Sequence, residues 1–121
     1  MLELINLSTG KSIAHTVIPA YSFFKRLKGL MFTSYFSEGY AVHIRPCRSI
    51  HTYFMNYEID ILYLNQANQI IAVDCSVPPK TIGKHYKGTH SVIELPAGTI
   101  QRTNTEIGQA VQIQKTKERV S

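Results

Sequence analysis

The carboxylate of Asp60 is the most informative candidate group, because it lies in the otherwise apolar segment Ile59–Leu64. The alternation of a β-strand puts Asp60 on the same face as Leu62. A carboxylate on an apolar face costs several kcal/mol unless it is paired or hydrogen-bonded. We therefore expect Asp60 to be buried beside a cationic partner, with Arg26 and His51 as candidates. Such a pair could join a helix to a sheet or belong to a reactive site.

A second group of side chains has the spacing of a weak metal site. His43, Cys47 and His51 follow the pattern His-x3-Cys-x3-His, which could supply two imidazoles and one thiolate to one metal ion. Pro46 interrupts the segment, so equal spacing does not guarantee a common face. Cys47 and His51 could also form a thiolate–imidazole pair, whereas no Gly-x-Ser-x-Gly elbow is present. We treat the metal site as a minor alternative and expect no cofactor.

Basic residues are concentrated in two stretches. The chain carries 13 Lys and Arg against 8 Asp and Glu, a net charge of +5, and residues 39–57 and 75–93 contain no acid. Such stretches attract anions, including phosphate, nucleic acid and acidic partners. Arg45 and Arg48 with Tyr53 and Phe54 interleave charge and rings as single-strand binders do, although two rings on a strand are also typical of a core. The basic residues of these stretches are His43, Arg45, Arg48, His51, Lys80, Lys84, His85, Lys87 and His90.

The elements that must position these groups are mostly strands. Short apolar segments separated by turn residues predict one mainly β domain over residues 1–121, of which about 115–121 form a frayed tail. The expected fold is a compact β-sandwich, jelly-roll-like or barrel-like domain with one short helix in its N-terminal half. That helix is predicted over Ala20–Met31, with Phe23, Leu27 and Leu30 on its apolar face. The predicted strands are Leu2–Leu7, Ser12–Val17, Tyr40–Ile44, Ile50–Met55, Ile59–Leu64, Ile70–Val77, Ser91–Leu95 and Gln109–Gln114.

Targeting and redox features favour a cytoplasmic protein. No segment approaches the ~18 consecutive apolar residues of a membrane-spanning helix, so we expect no membrane insertion. Residues Met1–Asn6 lack the basic n-region of a signal peptide. Cys47 and Cys75 are accordingly expected to be reduced thiols rather than a disulfide.

Four ordered segments resemble the bacterial and archaeal family called domain of unknown function 192. They are Arg26–Phe32, Ile50–Met55, Ile59–Leu64 and Glu94–Gly98, and the resemblance extends from the first hairpin to about Gly108. It implies a compact, mainly β fold of sandwich or jelly-roll type with one short helix, and it implies no activity. Carried over position by position, it suggests a candidate shared site composed of Arg26, His51, Thr52, Met55 and Asp60.

Three functional hypotheses remain open at this point. The first is a non-enzymatic binding or accessory module for a small polar or anionic ligand. The second is a hydrolase-like or metal-assisted enzyme centred on His51 and Asp60, with Cys47 as a further candidate. The third is a protein- or nucleic-acid-binding module that uses the basic face. Under the first two hypotheses His51, Thr52 and Asp60 share a concave site, because the strands predicted to carry them would form a hairpin.

Overall fold

The computed structural model describes residues 1–22, 25–26, 29–30 and 33–116. Within these ranges the chain forms eight β-strands and one short helix. In chain order the elements are β1 (Leu2–Asn6), β2 (Ser12–Ala14), β3 (Thr16–Ala20), β4 (Tyr40–Ile44), β5 (Ile59–Leu64), β6 (Ile70–Val77), β7 (Ser91–Pro96), α1 (Thr99–Arg102) and β8 (Val111–Lys115).

The strands assemble into two sheets, which confirms the mainly β fold. The smaller sheet has the order β2-β1-β8, and the larger one has the order β3-β4-β7-β5-β6. All printed pairings are antiparallel except that of β3 with β4, which run parallel. The barrel-like alternative is wrong, because β3 and β6 remain at the edges of the larger sheet instead of closing on one another.

The two faces of the larger sheet pack in two separate apolar clusters. The inner cluster lies between the sheets and includes Leu4 and Val111 of the smaller sheet with Leu62 and Ile93 of the larger one. The outer cluster covers the opposite face and includes Leu30, Val42, Ile44, Met55, Ile59, Ile61, Tyr63 and Val92. Every residue of β5 is buried, and successive residues alternate between the two clusters. This arrangement explains why β5 has a nearly continuous apolar sequence.

The segment predicted as a single strand over Ser12–Val17 is divided between the two sheets. β2 pairs with β1, whereas β3 pairs with β4. The change of sheet occurs at His15, where the backbone N–H groups of His15 and Thr16 both donate to the carbonyl of Gly39, at 2.9 and 3.1 Å. Because both halves face the inner cluster, one apolar stretch serves both sheets.

Ile50–Met55 is not a strand, contrary to the sequence prediction. Its only β-type pairing is an isolated bridge between His51 and Ile82, and Phe54 has a positive φ of 66°. The physical reason lies in the neighbours of β5, which are β6 on one side and β7 on the other. Because both edges of β5 are taken, the preceding segment cannot pair with it as a hairpin partner.

The helical predictions require two corrections. Ala20 ends strand β3, and helical backbone is described only at Lys25 and Arg26, while Phe23, Leu27 and Met31 lie outside the described residues. Helix α1 was not predicted, because four residues are too few to show helical periodicity. No helix in the described ranges is long and apolar enough to cross a membrane. At the C-terminus β8 extends through Lys115, and residues 117–121 lie outside the described residues.

Candidate functional site

Asp60 is fully buried, as predicted, but the prediction of its partners is wrong. One carboxylate oxygen, Oδ1, accepts a hydrogen bond from the backbone N–H of Ser76 at 2.9 Å. The other, Oδ2, accepts one from the backbone N–H of Ile100 at 3.0 Å. The carboxylate is therefore held by two amides instead of by Arg26 or His51.

The two amides need Asp60 for reasons that are local to each of them. Strand β6 contains one extra residue opposite Asp60, because Ile59 pairs with Val77 while Ile61 pairs with Asp74. Such a bulge leaves a backbone N–H without a partner in the ladder. Helix α1 begins after Gly98, whose missing side chain cannot cap the first turn. Asp60 thus satisfies a bulge and caps a helix from a strand 40 residues away.

The other predicted partners lie elsewhere. The Arg26 guanidinium is half-buried and donates through Nη1 to the carbonyl of Tyr21 at 2.9 Å. His51 is exposed, and its Nδ1 accepts a hydrogen bond from the N–H of Tyr53 at 3.2 Å. His51 therefore lies at the surface while Asp60 lies in the interior, so the structure does not bring these two groups together.

Thr52 and Met55 make contacts that hold the fold together. The Thr52 hydroxyl donates to the carbonyl of Pro78 at 2.6 Å and accepts from the N–H of Thr81 at 2.9 Å. It joins the Ile50–Met55 loop to the turn that follows β6. Met55 is buried in the outer cluster. Both side chains are accounted for by packing and backbone satisfaction.

The alternative metal site does not form. His43 is buried in β4, with its Nδ1 at 2.8 Å from the hydroxyl of Tyr21. The Cys47 thiol donates to the carbonyl of Ser49 at 3.2 Å, and His51 is at the surface. Across the part of the chain that the structure describes, no three His, Cys, Asp or Glu side chains converge on a point that could hold a metal ion.

His43 is a neutral imidazole in this environment. Burial lowers its pKa to about 4, and the positive charges of Arg45 and His90 lower it further in the same direction. The guanidinium carbon of Arg45 lies 4.3 Å from the centre of the Tyr21 ring, in a cation–π contact. His43 therefore contributes no charge near neutral pH, although it lies in a basic region.

The two acid-free stretches of the sequence meet at one end of the larger sheet. There β4 and β5 finish and β7 begins, and a groove of about 340 Å³ opens between the connecting segments. We call it the basic groove. Four of its lining side chains are basic and none is acidic; the lining residues are Arg48, Gln66, His85, Lys87, Gly88, Thr89 and His90. The N–H of Cys47 donates to the carbonyl of His90 at 2.9 Å, which joins the two stretches directly.

Tyr86 anchors the loop that carries half of the basic groove. Its hydroxyl donates to Asp74 Oδ1 at 2.7 Å, and the hydroxyl of Tyr63 donates to Asp74 Oδ2 at 2.9 Å. The carbonyl of Tyr86 accepts from the N–H and the hydroxyl of Thr89, at 3.2 and 2.7 Å. The hydrogen bond to Asp74 raises the pKa of Tyr86, and burial followed by the same carboxylate raises the pKa of Tyr63. His85 and Lys87 flank this anchored residue.

Glu94 is the functional candidate that the sequence analysis missed. It lies in β7, is 0% exposed, and accepts no hydrogen bond from any described residue at either carboxylate oxygen. Burial raises its pKa to about 8. The signal was present in the sequence, because Glu94 interrupts an apolar strand just as Asp60 does. The same argument from strand alternation would have predicted its burial.

These observations define a mainly β protein with two buried acids in adjacent strands of its larger sheet and a basic groove at one end of that sheet. The sequence model of DUF192, described as "Uncharacterized ACR", matches residues 5–113. The chain belongs to the DUF192 family, which confirms the resemblance found in its motifs.

Individual relatives agree with this assignment. The UPF0127 protein of Thermococcus sibiricus is 34% identical over 127 residues, which cover 96% of this chain and 77% of that protein. The UPF0127 protein of Pyrococcus furiosus is 28% identical over 115 residues, with coverages of 87% and 92%. A crystal structure from Novosphingobium aromaticivorans, described as a protein of unknown function, has a TM-score of 0.79 at 16% identity and covers 92% of this chain and 82% of that one. A second one, from Sinorhizobium meliloti, is described as a "putative transcription regulator" and has a TM-score of 0.78 at 20% identity, with coverages of 93% and 91%. At such identities the two structures show the fold alone.

Proposed function

We propose that this protein is a non-enzymatic binding module for a small anion, inorganic phosphate or a phosphorylated small molecule, and that the basic groove is its binding site. The observation that carries the proposal is the lining of the groove, in which four basic side chains converge without any carboxylate. A volume of about 340 Å³ is within the range of small-ligand sites. The groove also unites two acid-free stretches that are separate in the sequence, which explains the uneven distribution of charge.

Each group in the basic groove has a definite role in this proposal. The Arg48 guanidinium presents a planar fork of N–H donors that matches two phosphate oxygens, and the Lys87 ammonium acts as a compact charge. The imidazoles of His85 and His90 and the amide of Gln66 add hydrogen-bond donors. Because no carboxylate competes for these donors within the lining, an entering anion meets only favourable charges.

The proposal predicts that Arg48→Gln and Lys87→Gln each weaken the binding of inorganic phosphate by about tenfold or more. Each removes a charge that faces the bound anion. Isothermal titration of the purified protein with phosphate at low salt measures the effect. Lys80→Gln is the matched control, because Lys80 is an exposed lysine of the same acid-free stretch that does not line the groove. Loss of affinity in the control equal to that in the groove variants, or no phosphate binding by the unmodified protein, would contradict the proposal.

Tyr86→Phe should weaken phosphate binding by about threefold to tenfold without removing any group that contacts the ligand. The change deletes the hydroxyl that bonds Asp74, so the loop carrying His85 and Lys87 loses its anchor to β6. The same titration measures the affinity, with Tyr53→Phe as the control because Tyr53 is exposed and outside the groove. Unchanged affinity in Tyr86→Phe would show that the anchor does not position the groove.

The other two functional hypotheses have less support. An enzyme centred on His51 and Asp60 requires the two groups to meet, and one is at the surface while the other is buried against backbone amides. Nucleic-acid binding would suit the net charge of +5 and the description of the Sinorhizobium meliloti protein. A local concavity with four basic groups fits a single small anion better than an extended strand of phosphates.

We further propose that the chain is one domain and acts in the cytoplasm. The single domain is supported by the inner cluster, to which both sheets contribute, and by the pairing of β1 with β8 near the two chain ends. The cytoplasmic location is supported by Cys47 and Cys75, which are both free thiols.

A further inference from the structure

The two buried acids of the larger sheet differ in a way that the fold itself does not require. Asp60 receives two backbone N–H groups, whereas Glu94 receives none from the described residues. Leaving a buried carboxyl without partners costs free energy. Such groups are uncommon in native proteins and often mark a place where a ligand, ion or water supplies the missing bond. Glu94 therefore needs an explanation apart from folding.

The carboxyl of Glu94 lies on the outer face of the larger sheet. Its neighbours Ile93 and Leu95 belong to the inner cluster, and Val92 belongs to the outer one, so alternation directs Glu94 outward. The backbone of Gly29 passes close above it, because a Cβ added at Gly29 would lie 3.2 Å from Glu94 Oε1. The absence of a side chain at Gly29 leaves space beside this oxygen.

A cation and a thiol lie near this carboxyl without satisfying it. The Cys47 thiol is within electrostatic range of both Glu94 and Arg26. Arg26 nevertheless forms no ion pair with Glu94; among the described residues the ion pair present is the exposed one between Arg102 and Glu38. The Arg26 guanidinium uses one N–H on the carbonyl of Tyr21 and has other donors in reserve. An acid and a cation thus flank one thiol while remaining apart from each other.

We propose that Glu94 and Arg26 form a second binding site, for a small zwitterion of the α-amino-acid type. The ammonium group of the ligand pairs with Glu94, and its carboxylate pairs with Arg26. The side chain of the ligand packs on the outer cluster, where Leu30, Met55 and Tyr57 provide apolar surface. This site is independent of the basic groove and its proposed anion.

The charges balance in this scheme. Before binding, Glu94 carries a proton, because its buried carboxyl has no cation or hydrogen-bond donor beside it among the described residues. When the ligand ammonium arrives, the carboxyl releases that proton to solvent, and the resulting carboxylate and ammonium form an ion pair. The ligand carboxylate remains ionised and pairs with the guanidinium. No covalent bond forms or breaks.

The experiment compares three ligands that differ by one charged group. Isothermal titration measures L-leucine, 3-methylbutylamine, which lacks the carboxylate, and 4-methylpentanoate, which lacks the amine. L-leucine should bind at least about tenfold more tightly than either truncated ligand, because only leucine engages both charged groups. Equal affinities for leucine and a truncated ligand, or no binding of leucine at about 10 mM, would overturn the proposal.

Two substitutions assign the contacts. Glu94→Gln should reduce the affinity for L-leucine about tenfold, to that for 4-methylpentanoate, and leave the latter unchanged. Arg26→Gln should instead abolish the advantage of leucine over 3-methylbutylamine; if this variant melts below the assay temperature, Arg26→Lys replaces it with the same expected direction. Glu106→Gln, at an exposed acid, should change none of these affinities. Phosphate binding should persist in Glu94→Gln, which separates this proposal from that of the basic groove. Leucine affinity within about twofold of the unmodified protein in Glu94→Gln would contradict the site.

Discussion

Glu94→Gln should abolish a loss of stability that the unmodified protein shows as the pH rises from about 5 to 9. Below pH 4.5 the Glu94 carboxyl is protonated in both the folded and the unfolded chain. Between pH 4.5 and about 8 the unfolded chain ionises while burial keeps the folded carboxyl protonated, so the free energy of unfolding falls. Above about pH 8 both states are ionised and the loss is complete. A pKa difference of this size corresponds to roughly 5 kcal/mol.

Urea denaturation at several pH values measures this effect. At pH 5 the unmodified protein and Glu94→Gln should have free energies of unfolding within about 1 kcal/mol, and at pH 9 the variant should be the more stable by several kcal/mol. Other groups, including the buried His43, also make stability depend on pH, but they cancel in the difference between the two proteins. Glu106→Gln provides the control at an exposed acid. A difference between the proteins that does not change with pH would show that Glu94 is already ionised in the folded state.

Asp60→Ala should lower the free energy of unfolding by about 3 kcal/mol or more, because it deprives two backbone amides of their acceptor. One amide belongs to the bulge of β6 and the other to the first turn of α1, so both elements should loosen. Hydrogen exchange at Ser76 and Ile100 should accelerate more than exchange in β1, which is remote from Asp60.

Asp60→Asn distinguishes this explanation from a requirement for negative charge. The amide oxygen can still accept one hydrogen bond, whereas its NH₂ group faces a second donor, so the cost should be roughly half that of alanine. Glu106→Ala, at an exposed acid, should change stability by less than about 0.5 kcal/mol. If Asp60→Ala unfolds no more easily than this control, the assigned hydrogen bonds contribute little to stability.

Much of the larger sheet could be predicted from the sequence because its strands are buried on both faces. The bounds predicted for β4, β5 and β6 coincide with those observed, since long apolar runs bounded by turn residues specify such strands locally. The burial of Asp60 followed from the same alternation. The short helix α1 could not be predicted, because its formation depends on capping by an acid 40 residues away.

The predicted grouping of His51, Thr52 and Asp60 failed because it depended on which strands pair. Ile50–Met55 has the composition of a strand, yet both edges of β5 are occupied by β6 and β7. Strand pairing is decided by competition among all strands for a limited number of edges, and a segment does not contain that information. The loop instead exposes His51 and buries Thr52 against the turn that follows β6.

By itself the sequence determined the class of fold, the family, and the two stretches from which acidic residues are absent, because all of these depend on local composition and order. It also contained the burial of both acids, since a carboxylate within an apolar strand must face a core. Tertiary structure alone decided which acid is satisfied. Asp60 lies opposite a bulge and beside a helix terminus that offer N–H groups, whereas Glu94 lies over an outer face that offers none within the described residues. It also decided that Arg48 and Lys87, 39 positions apart, line one groove, because only the folded sheet brings the ends of β4 and β5 beside the start of β7.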